Sequence, residues 1–315
     1  MYDYVARRLI ATIPVMAIVA FVVFALVHLS PTDPAAVIAG DYASPAHVEE
    51  IRRSLGLDQP FVLRFGLWLA TIARGDLGMS IFTDKPVADL ILQRLEPTAL
   101  LALCTITIAV LIAVPLGTIA AWQAGTAIDR GIMLVAVLGI SVPAFWIGYL
   151  LIAGVSLKLG WLPVQGFRSP SDGMVAFLRH IALPSLTLGV AYAALIARVT
   201  RASLVEVLHQ DYIRMARAKG LSMPAVLVRH ALPNAAVPIV TVIGIGVAYL
   251  IGGVVVTESV FAIPGVGRLT VDSIQRKDVP VIQGVLLVFS GVYVVINLIV
   301  DLLYTVLDPR IRYEG

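Results

Sequence analysis

Six long runs of apolar residues, each free of charged side chains, dominate the pattern of hydrophobic and polar positions along the chain. Five runs exceed 20 residues and the fourth spans 17, whereas a helix needs about 20 apolar residues to cross a bilayer core about 30 Å thick. The pattern therefore predicts an all-α, polytopic membrane protein with six transmembrane helices. The runs are Leu9–Pro31, Pro97–Ile128, Gly131–Leu157, Ile181–Ala197, Ala231–Thr257 and Val279–Val300.

The connection between the first two runs, residues 32–96, predicts an external helical domain after the first span. Capping residues, glycines and apolar periodicity indicate three helices within it. We expect one helix after a Ser44 N-cap with Pro45 at its first position and an end at Gly56, a second from Pro60 to Arg74, and a third over Val87–Leu95. Their apolar faces would lie on the membrane surface or on the spans. The domain is either a passive cap or a rim that contacts an external partner.

A charged segment between the fourth and fifth runs, Gln210–Pro233, carries the signals of a helical hairpin. Gly220 permits the turn, because glycine adopts left-handed backbone geometry without strain. Ser222 is expected to cap the second helix, with Pro224 in its first turn. One face of the first helix would present, at helical spacing, Tyr212, Met215, Ala216 and Lys219. We interpret the hairpin as a docking surface, because a basic loop held by lipid headgroups would explain the charge but not the turn signals.

Basic residues predict the orientation of the spans. With six spans both termini lie on one side, and the tails and loops of that side carry 11 Lys and Arg residues against 6 in the two short loops opposite. The long connection is left out, since loops above about 60 residues do not obey the positive-inside rule. The excess places both termini and the hairpin in the cytoplasm. The first run follows Arg7 and Arg8 but is longer than the apolar core of a signal peptide, so we interpret it as an uncleaved span.

Composition supports a membrane protein and argues against several chemistries. Hydrophobic residues make up 59% of the chain and charged residues only 14%. The sequence has no GxxxxGKS/T phosphate loop, no HExxH metal motif and no GxSxG elbow, so we expect no ATP hydrolysis, metal site or catalytic residue. Cys104 is the only cysteine, and packing is its expected role. The net charge of +3 does not point to nucleic acid.

Polar groups within the spans are the first place to seek a transport pathway. Asn297 and Asp301 lie one helical turn apart in the sixth span, and Tyr304 continues their face. They form either a pathway site or, as we favour, a structural pair near the interface. Glu258 is expected at the interface, at the outer end of its span. Small residues at helical spacing predict close helix packing in the second and fifth spans, namely Ala109, Ala113 and Gly117, and Gly244, Ala248 and Gly252.

The hairpin resembles the EAA loop of ABC importer permeases, whose pattern is EAA-x3-G-x9-I-x-LP. The matching positions are Ala216, Gly220, Leu232 and Pro233, while Arg214, Met215 and His230 replace the Glu, the first Ala and the Ile. These departures fit one branch of the permeases. The run DYIRMARAKGL resembles the D/E-Y-I/V-R-x-A-R-A-K-G string of the dipeptide/oligopeptide permease family.

The resemblance to that family covers nearly the whole chain. Similar motifs are Tyr4 with Arg7–Leu9, Leu29–Pro34, Gly75–Gly78 with Ser80, Ser141–Trp146, Glu258 with Phe261 and Pro264–Gly267, Asp278–Pro280, and Leu307–Arg312. Their order and spacing carry the resemblance, since each motif alone is weak. The large insertion after the first span is similar to that of the B-type permease rather than its shorter-looped C-type partner.

The resemblance implies a permease subunit of an ATP-driven importer in the bacterial inner membrane. A second homologous permease would complete the pathway, two ABC ATPase subunits (or one fused ATPase chain) would bind ATP and Mg²⁺, and an external solute-binding protein would deliver di- or oligopeptides. No cofactor is expected in this chain. The ATPase-coupling residues would be Asp211, Tyr212, Arg214, Met215, Ala216, Arg217, Lys219 and Gly220, and the external loop would use Glu258, Phe261, Pro264, Gly265 and Gly267.

The implied domains are residues 1–31 for the N-terminus and first span, 32–96 for the external domain, 97–307 for a five-span core with a coupling hairpin at 204–233, and 308–315 for the tail. Two other classes stay open. An ion-driven carrier would show broken helices, for which Pro115, Pro143 and Pro184 offer interruptions. A structural membrane protein would need no pathway. The cargo stays open among peptides, glutathione, nickel complexes and other solutes, with peptides favoured because the spans hold no metal-ligand cluster.

Overall fold

The computed structural model describes residues 2–29, 34–39, 44–54 and 56–307, which are mostly helical. The helices of the first half are α1 Tyr2–Leu29, α2 Pro34–Ala39, α3 Pro45–Ser54, α4 Phe61–Ala73, α5 Val87–Trp122, α6 Ala127–Ser141 and α7 Ala144–Leu151 with a π-helical continuation over Ile152–Lys158. A 3₁₀ turn at Pro170–Asp172 precedes α8 Met174–Leu208, α9 Asp211–Ala218, α10 Met223–Val226, the π-helix Leu227–Ala231, α11 Leu232–Asn234, α12 Ala236–Val260, α13 Val266–Arg276 and α14 Val279–Leu307. The predictions that fall on residues 30–33 and 308–315, and on the side chains of Ala248 and Tyr304, lie outside this description.

Three of the described helices, α5, α8 and α14, are long and apolar enough to cross a membrane. Two bent pairs raise this number to five if each pair forms one span: α6 with α7 and its continuation, and Met223–Asn234 with the first half of α12. Helix α1 has 28 residues and carries most of the first apolar run, which begins at Leu9. The all-α membrane architecture predicted from the sequence is confirmed, and the count of six spans stays a prediction.

The third apolar run is broken in the middle rather than forming a straight span. Helices α6 and α7 meet at 102° on either side of Val142 and Pro143. Val142 is extended (φ −91°, ψ 128°), because the proline ring disfavours helical geometry in the residue before it. Pro115 and Pro184, by contrast, lie inside the continuous helices α5 and α8.

The helix predicted over Val87–Leu95 is confirmed from its beginning at Val87, but its predicted end is wrong, because α5 continues through Pro97 to Trp122 without a break. A proline inside a helix removes one backbone hydrogen bond and crowds the preceding turn. Side chains are buried on both sides of the proline, with Val87 and Ile91 before it and Leu101 after it. We attribute the continuity to this packing, which offsets the local cost. The other two predicted helices are confirmed as α3 and α4.

The chain divides into two compact units, Met1–Glu96 with Arg268–Val294, and Pro97–Gly267 with Val295–Gly315. In the first unit, two sequence motifs that lie far apart in the chain come together. The Ser80 hydroxyl donates a hydrogen bond to Asp278 Oδ2 (2.6 Å), and the Ile81 N–H donates to Asp278 Oδ1 (3.3 Å). Gly284 lies so close to Val87 that an added Cβ would approach its Cγ1 to 2.5 Å. These contacts fix the segment before α5 onto the beginning of α14.

In the second unit, α8 is the central helix and packs against α6, α7 and α12. The Tyr192 hydroxyl donates to the Ile243 carbonyl of α12 (2.5 Å), and the Tyr192 ring lies against Gly246, where a Cβ would overlap it. Ala109 and Ala113 are fully buried, so the small residues of the second run pack within the chain as predicted. Cys104 packs beside the same core.

The small residues of the fifth run have different environments. Gly244 packs against Val300 of α14, where a Cβ would overlap the valine side chain. Gly252, two turns later, has no atom within 4 Å of an added Cβ. One end of the predicted small-residue face is therefore used for packing within the chain, and the other end is open.

Candidate functional site

The charged segment forms the predicted helical hairpin. Helix α9 ends before Gly220, which has φ +85°, and the second helix runs over Met223–Asn234. Ser222 occupies the N-cap position, but its side chain makes no capping hydrogen bond, so that prediction is wrong. Pro224 lies in the first turn, as predicted. It accounts for part of the missing capping bond, because a proline at the second helical position has no N–H to donate to the Ser222 side chain.

One side of α9 packs onto the protein itself. Ile213 is 1% exposed and Ala216 is 8% exposed. The spacing had predicted that Ala216 shares an exposed face with Tyr212 and Met215, and this prediction is wrong. Ala216 packs on the inner side with Ile213, in a cluster that also holds Ala121, Leu204, Val226, Ala231, Ala235 and Ile239. The hairpin is thus seated on the helices rather than extended into solvent.

The opposite side of α9 is exposed. Met215 is 59% exposed and Tyr212 is 42% exposed, and Arg217 and Lys219 are exposed as well. Arg214 forms an exposed ion pair with Asp211 of the same helix (3.2 Å), a type that contributes little stability. Partial burial raises the pKa of the Tyr212 hydroxyl above its ordinary value. A protein surface that pairs an exposed methionine and tyrosine with cations resembles the centre of a protein–protein contact.

A buried ion pair lies at the base of the hairpin. Asp129, at the beginning of α6, accepts two hydrogen bonds from the guanidinium of Arg201 on α8 (2.5 and 2.6 Å). The Asp129 side chain is 4% exposed and that of Arg201 is 30% exposed. The Gly125 N–H donates a third bond to the same carboxylate (2.8 Å). This pair joins the loop between α5 and α6 to the helix that leads into the hairpin.

Sequence reasoning used Arg201 only to orient the spans and did not consider Asp129 as a functional residue. A weak signal for Asp129 was present, since Thr126 three residues earlier is an N-cap whose side chain accepts from the Asp129 N–H (3.5 Å). Nothing in the local pattern indicated that an arginine 72 residues later would be its partner.

The predicted external-loop residues meet around a buried carboxylate. Glu258 is fully buried within the protein, near the end of α12, and its position at the membrane interface stays a prediction. The Thr98 hydroxyl of α5 donates to Glu258 Oε1 (2.6 Å) and accepts from the Val266 N–H (2.8 Å). Gly265 and Gly267 bring bare backbone against the carboxylate; a Cβ on Gly267 would lie 3.0 Å from Oε2.

The remaining members of that loop divide into buried and exposed positions. Phe261 is 1% exposed, and its carbonyl accepts a hydrogen bond from the Gly166 N–H (2.8 Å). Pro264 is exposed at the tip of the turn, which precedes α13. The loop is therefore held to the core at Glu258 and Phe261 and presents Pro264 outward.

The polar residues predicted within the last span lie away from the apolar groove of the structure. Asn297 and Asp301 are both half-buried on α14. An apolar groove of about 180 Å³ lies elsewhere, between α5, α6 and α8, and neither residue lines it. Among the described residues, no group of three or more metal-ligating side chains comes together.

Comparison with known proteins identifies the family. Residues 113–313 match the family model described as binding-protein-dependent transport system inner membrane component, and residues 1–104 match the model of the N-terminal part of such components. The chain belongs to this family. It is therefore a multi-pass membrane permease subunit of a transport system rather than a catalytic subunit, as the resemblance of the hairpin had implied.

Two relatives that match nearly the whole of this permease are named as permeases of transport systems. It is 51% identical over 310 residues to a probable peptide ABC transporter permease of Sinorhizobium fredii, covering 98% of this chain and 99% of that protein. It is 46% identical over 314 residues to a glutathione transport system permease of Escherichia coli, covering 100% of both. The inward-facing MetNI methionine ABC transporter matches with a TM-score of 0.58 at 19% identity, over 70% of this chain and 96% of that chain, and so shares its fold.

Proposed function

We propose that this permease imports di- or oligopeptides across the bacterial inner membrane, with energy from ATP hydrolysed by partner subunits. The named peptide and glutathione permeases, 51% and 46% identical over their full length, support this cargo class, since glutathione is itself a tripeptide. A second homologous permease completes the pathway, and an external solute-binding protein delivers the peptide. ATP and Mg²⁺ bind to two ABC ATPase subunits or one fused ATPase chain.

The orientation follows from the basic residues. The side that holds both termini and the hairpin carries 11 Lys and Arg residues against 6 in the short loops opposite, which supports a cytoplasmic hairpin. The segment 32–96 and the loop around Glu258 then face outward, where the solute-binding protein arrives.

The single observation that carries the proposal is the two-sided build of α9. Its inner side is fixed to the helices by Ile213 and Ala216, while Tyr212 and Met215 are exposed on the other side beside basic residues. A force applied to the exposed side therefore acts on the membrane helices and is not dissipated in a loose loop. This is what a coupling helix seated in a groove of an ATPase requires.

The transport cycle uses this connection. ATP binding closes the ATPase pair and draws the two coupling hairpins of the permease pair together. The hairpins tilt the helices from an inward-facing to an outward-facing arrangement, and the peptide enters from the binding protein. Hydrolysis and product release return the pathway to the inward-facing state.

The test places a charge in the proposed contact. Met215→Glu in the assembled transporter buries an uncompensated carboxylate at the ATPase surface, at a cost of about 2 kcal/mol, or about thirtyfold weaker association. Val228→Glu is the matched control, because Val228 is 64% exposed on the second helix of the hairpin. We expect Met215→Glu to lose the co-purifying ATPase and peptide uptake while Val228→Glu keeps both. Equal retention of the ATPase in the two variants would remove α9 from the contact.

The cargo is tested separately with the transporter reconstituted in vesicles with its binding protein. We expect uptake of radiolabelled di- and oligopeptides that stops without ATP. Uptake of glutathione but not of other peptides would narrow the cargo to that one tripeptide, and uptake of neither would refute the peptide assignment.

A further inference from the structure

Helix α4 has one face packed on α1 through a cluster of aromatic rings. Phe61, Phe65 and Trp68 of α4 recur on the inner face. They contact Phe21 and Phe24 of α1, with ring centroids between 5.3 and 6.0 Å apart. Both helices belong to the first compact unit. The position of α4 beside α1 is therefore set by aromatic packing.

The opposite face of α4 is also apolar, and it is exposed. Val62 is 77% exposed, Leu67 is 56% exposed and Leu63 is 52% exposed. An exposed aliphatic face of this size is costly in water, at about 25 cal/mol for each Å² of apolar surface. Isolated exposed aliphatic residues are ordinary in proteins, but a contiguous apolar patch marks a surface that something covers.

The polar groups of α4 are turned away from this face or satisfied within the helix. Arg64, the only charged residue of α4, is on the inner side, and its guanidinium donates to the Leu57 carbonyl (3.3 Å). The Thr71 hydroxyl is exposed but donates to the Leu67 carbonyl one turn earlier (3.0 Å). The outer face therefore presents neither a charge nor a hydroxyl proton that needs a partner. A face of this kind is suited to hydrocarbon.

The length of α4 excludes a second crossing of the membrane. It has 13 residues, about 20 Å of helix, whereas a span needs about 20 residues. The rings that it contacts, Phe21 and Phe24, lie eight and five residues before the end of α1 at Leu29. At 1.5 Å per residue this is about 8 to 12 Å from the end of that helix. Interfacial helices lie about 5–10 Å deep, at the boundary of headgroups and acyl chains.

Helix α1, on which α4 packs, also exposes apolar side chains. On α1 the side chains of Ile18, Phe21 and Val22 are 65%, 48% and 46% exposed. In a membrane-inserted helix such residues face acyl chains. Surfaces that bind a protein partner reversibly carry a polar rim with about one hydrogen bond for every 100–200 Å². On the outer face of α4 the side chains offer only the Thr71 hydroxyl oxygen as an acceptor.

We propose that α4 is an interfacial anchor that lies in one leaflet of the bilayer, with Val62, Leu63 and Leu67 inserted among the lipid acyl chains. The anchor holds the segment between α1 and α5 down on the membrane surface, in the outer leaflet for the orientation given above. It needs only the membrane insertion of α1, so it stands or falls independently of cargo and ATP coupling.

The test measures solvent around single spin labels. In a Cys104→Ser background, single cysteines replace Leu63, Leu67 and, as the control, Glu50 of α3, whose side chain is 80% exposed. The labelled chain is reconstituted in phosphatidylcholine vesicles, and collision rates with oxygen and with a water-soluble nickel chelate are compared by electron paramagnetic resonance. We expect oxygen to collide at least threefold more often than the chelate at positions 63 and 67, and the reverse at position 50.

Two results would overturn the anchor. The nickel chelate could reach positions 63 and 67 as readily as position 50, which would place the face in water. Alternatively, the labels could be protected from the chelate only after the second permease or the solute-binding protein is added, which would make the face a protein contact. If labelling at Leu63 perturbs folding, Val62→Cys on the same face provides the same measurement.

Discussion

Replacing Arg201 with alanine should destabilise the permease at the base of the hairpin. The Asp129 carboxylate accepts two hydrogen bonds from Arg201 and one from the Gly125 N–H (2.8 Å). In the alanine variant it would lose the two from Arg201 and keep the one from Gly125. Breaking a buried ion pair by removing one partner costs about 3–5 kcal/mol. The Arg201 side chain is 30% exposed, so water can replace part of the lost interaction, and we expect a cost of about 2–3 kcal/mol.

The assay is thermal unfolding in detergent together with the ratio of peptide uptake to ATP hydrolysis. At about 2–4 °C for each kcal/mol, the melting temperature should fall by roughly 6 °C. Arg201→Lys should recover only part of the loss, because lysine keeps the charge but cannot make the paired guanidinium contacts. The uptake ratio should fall as well, since Arg201 lies seven residues before the end of α8, which leads into α9.

A double-mutant cycle decides whether the pair itself is responsible. Asp129→Asn and Arg201→Gln each remove one charge of the pair and leave the other charge without its partner. The double variant removes both charges. If the pair acts as a unit, the stability loss in the double variant should be about 1–3 kcal/mol smaller than the sum of the losses in the two single variants. Additive effects of the two changes, or a melting temperature unchanged in Arg201→Ala, would refute this reasoning.

Three further predictions concern glycines and the buried acid. Gly220→Val should lower the uptake obtained per ATP without preventing insertion, because a left-handed backbone (φ +85°) strains a β-branched residue; full transport by this variant would remove the turn from the mechanism. Gly246→Ala should lower the melting temperature, since the new Cβ overlaps the Tyr192 ring, whereas Gly252→Ala on the same helix meets open space and should leave the isolated chain unchanged; equal melting temperatures would contradict the packing. Glu258→Ala should cost about 2–3 kcal/mol in thermal unfolding, and Glu258→Gln less, because glutamine keeps an oxygen that can accept from the Thr98 hydroxyl; equal losses would argue against this bond.

Local pattern was enough for several features of this permease. Runs of apolar residues long enough for a bilayer predicted the all-α membrane class, and the string from Asp211 to Leu221 predicted a family that the comparisons confirmed. The turn at Gly220 and the helices α3 and α4 were also predicted, because capping residues and glycine act on the backbone of their own neighbours.

The phase of a helix was harder to predict than its existence. Helical spacing grouped Ala216 with Tyr212 and Met215 on one face of α9. Spacing alone does not show which side of a helix packs on the rest of the protein. The cluster around Ile213 decides which side is inward, and that cluster is built from helices far apart in the chain. Likewise, the helix predicted over Val87–Leu95 does not end there but continues through Pro97, with buried side chains on both sides of the proline.

The sequence by itself determined what the chain is made of: membrane helices, a turn at Gly220 and the motifs of a transport permease. Only the tertiary structure decided which polar groups meet. Glu258 accepts a hydrogen bond from Thr98, 160 residues away in sequence, and Asp278 accepts one from Ser80, 198 residues away. The physical reason is that backbone preference and hydrophobic periodicity depend on neighbours in sequence. The partner of a buried charge or hydroxyl depends instead on how whole helices pack, and no local pattern records that arrangement.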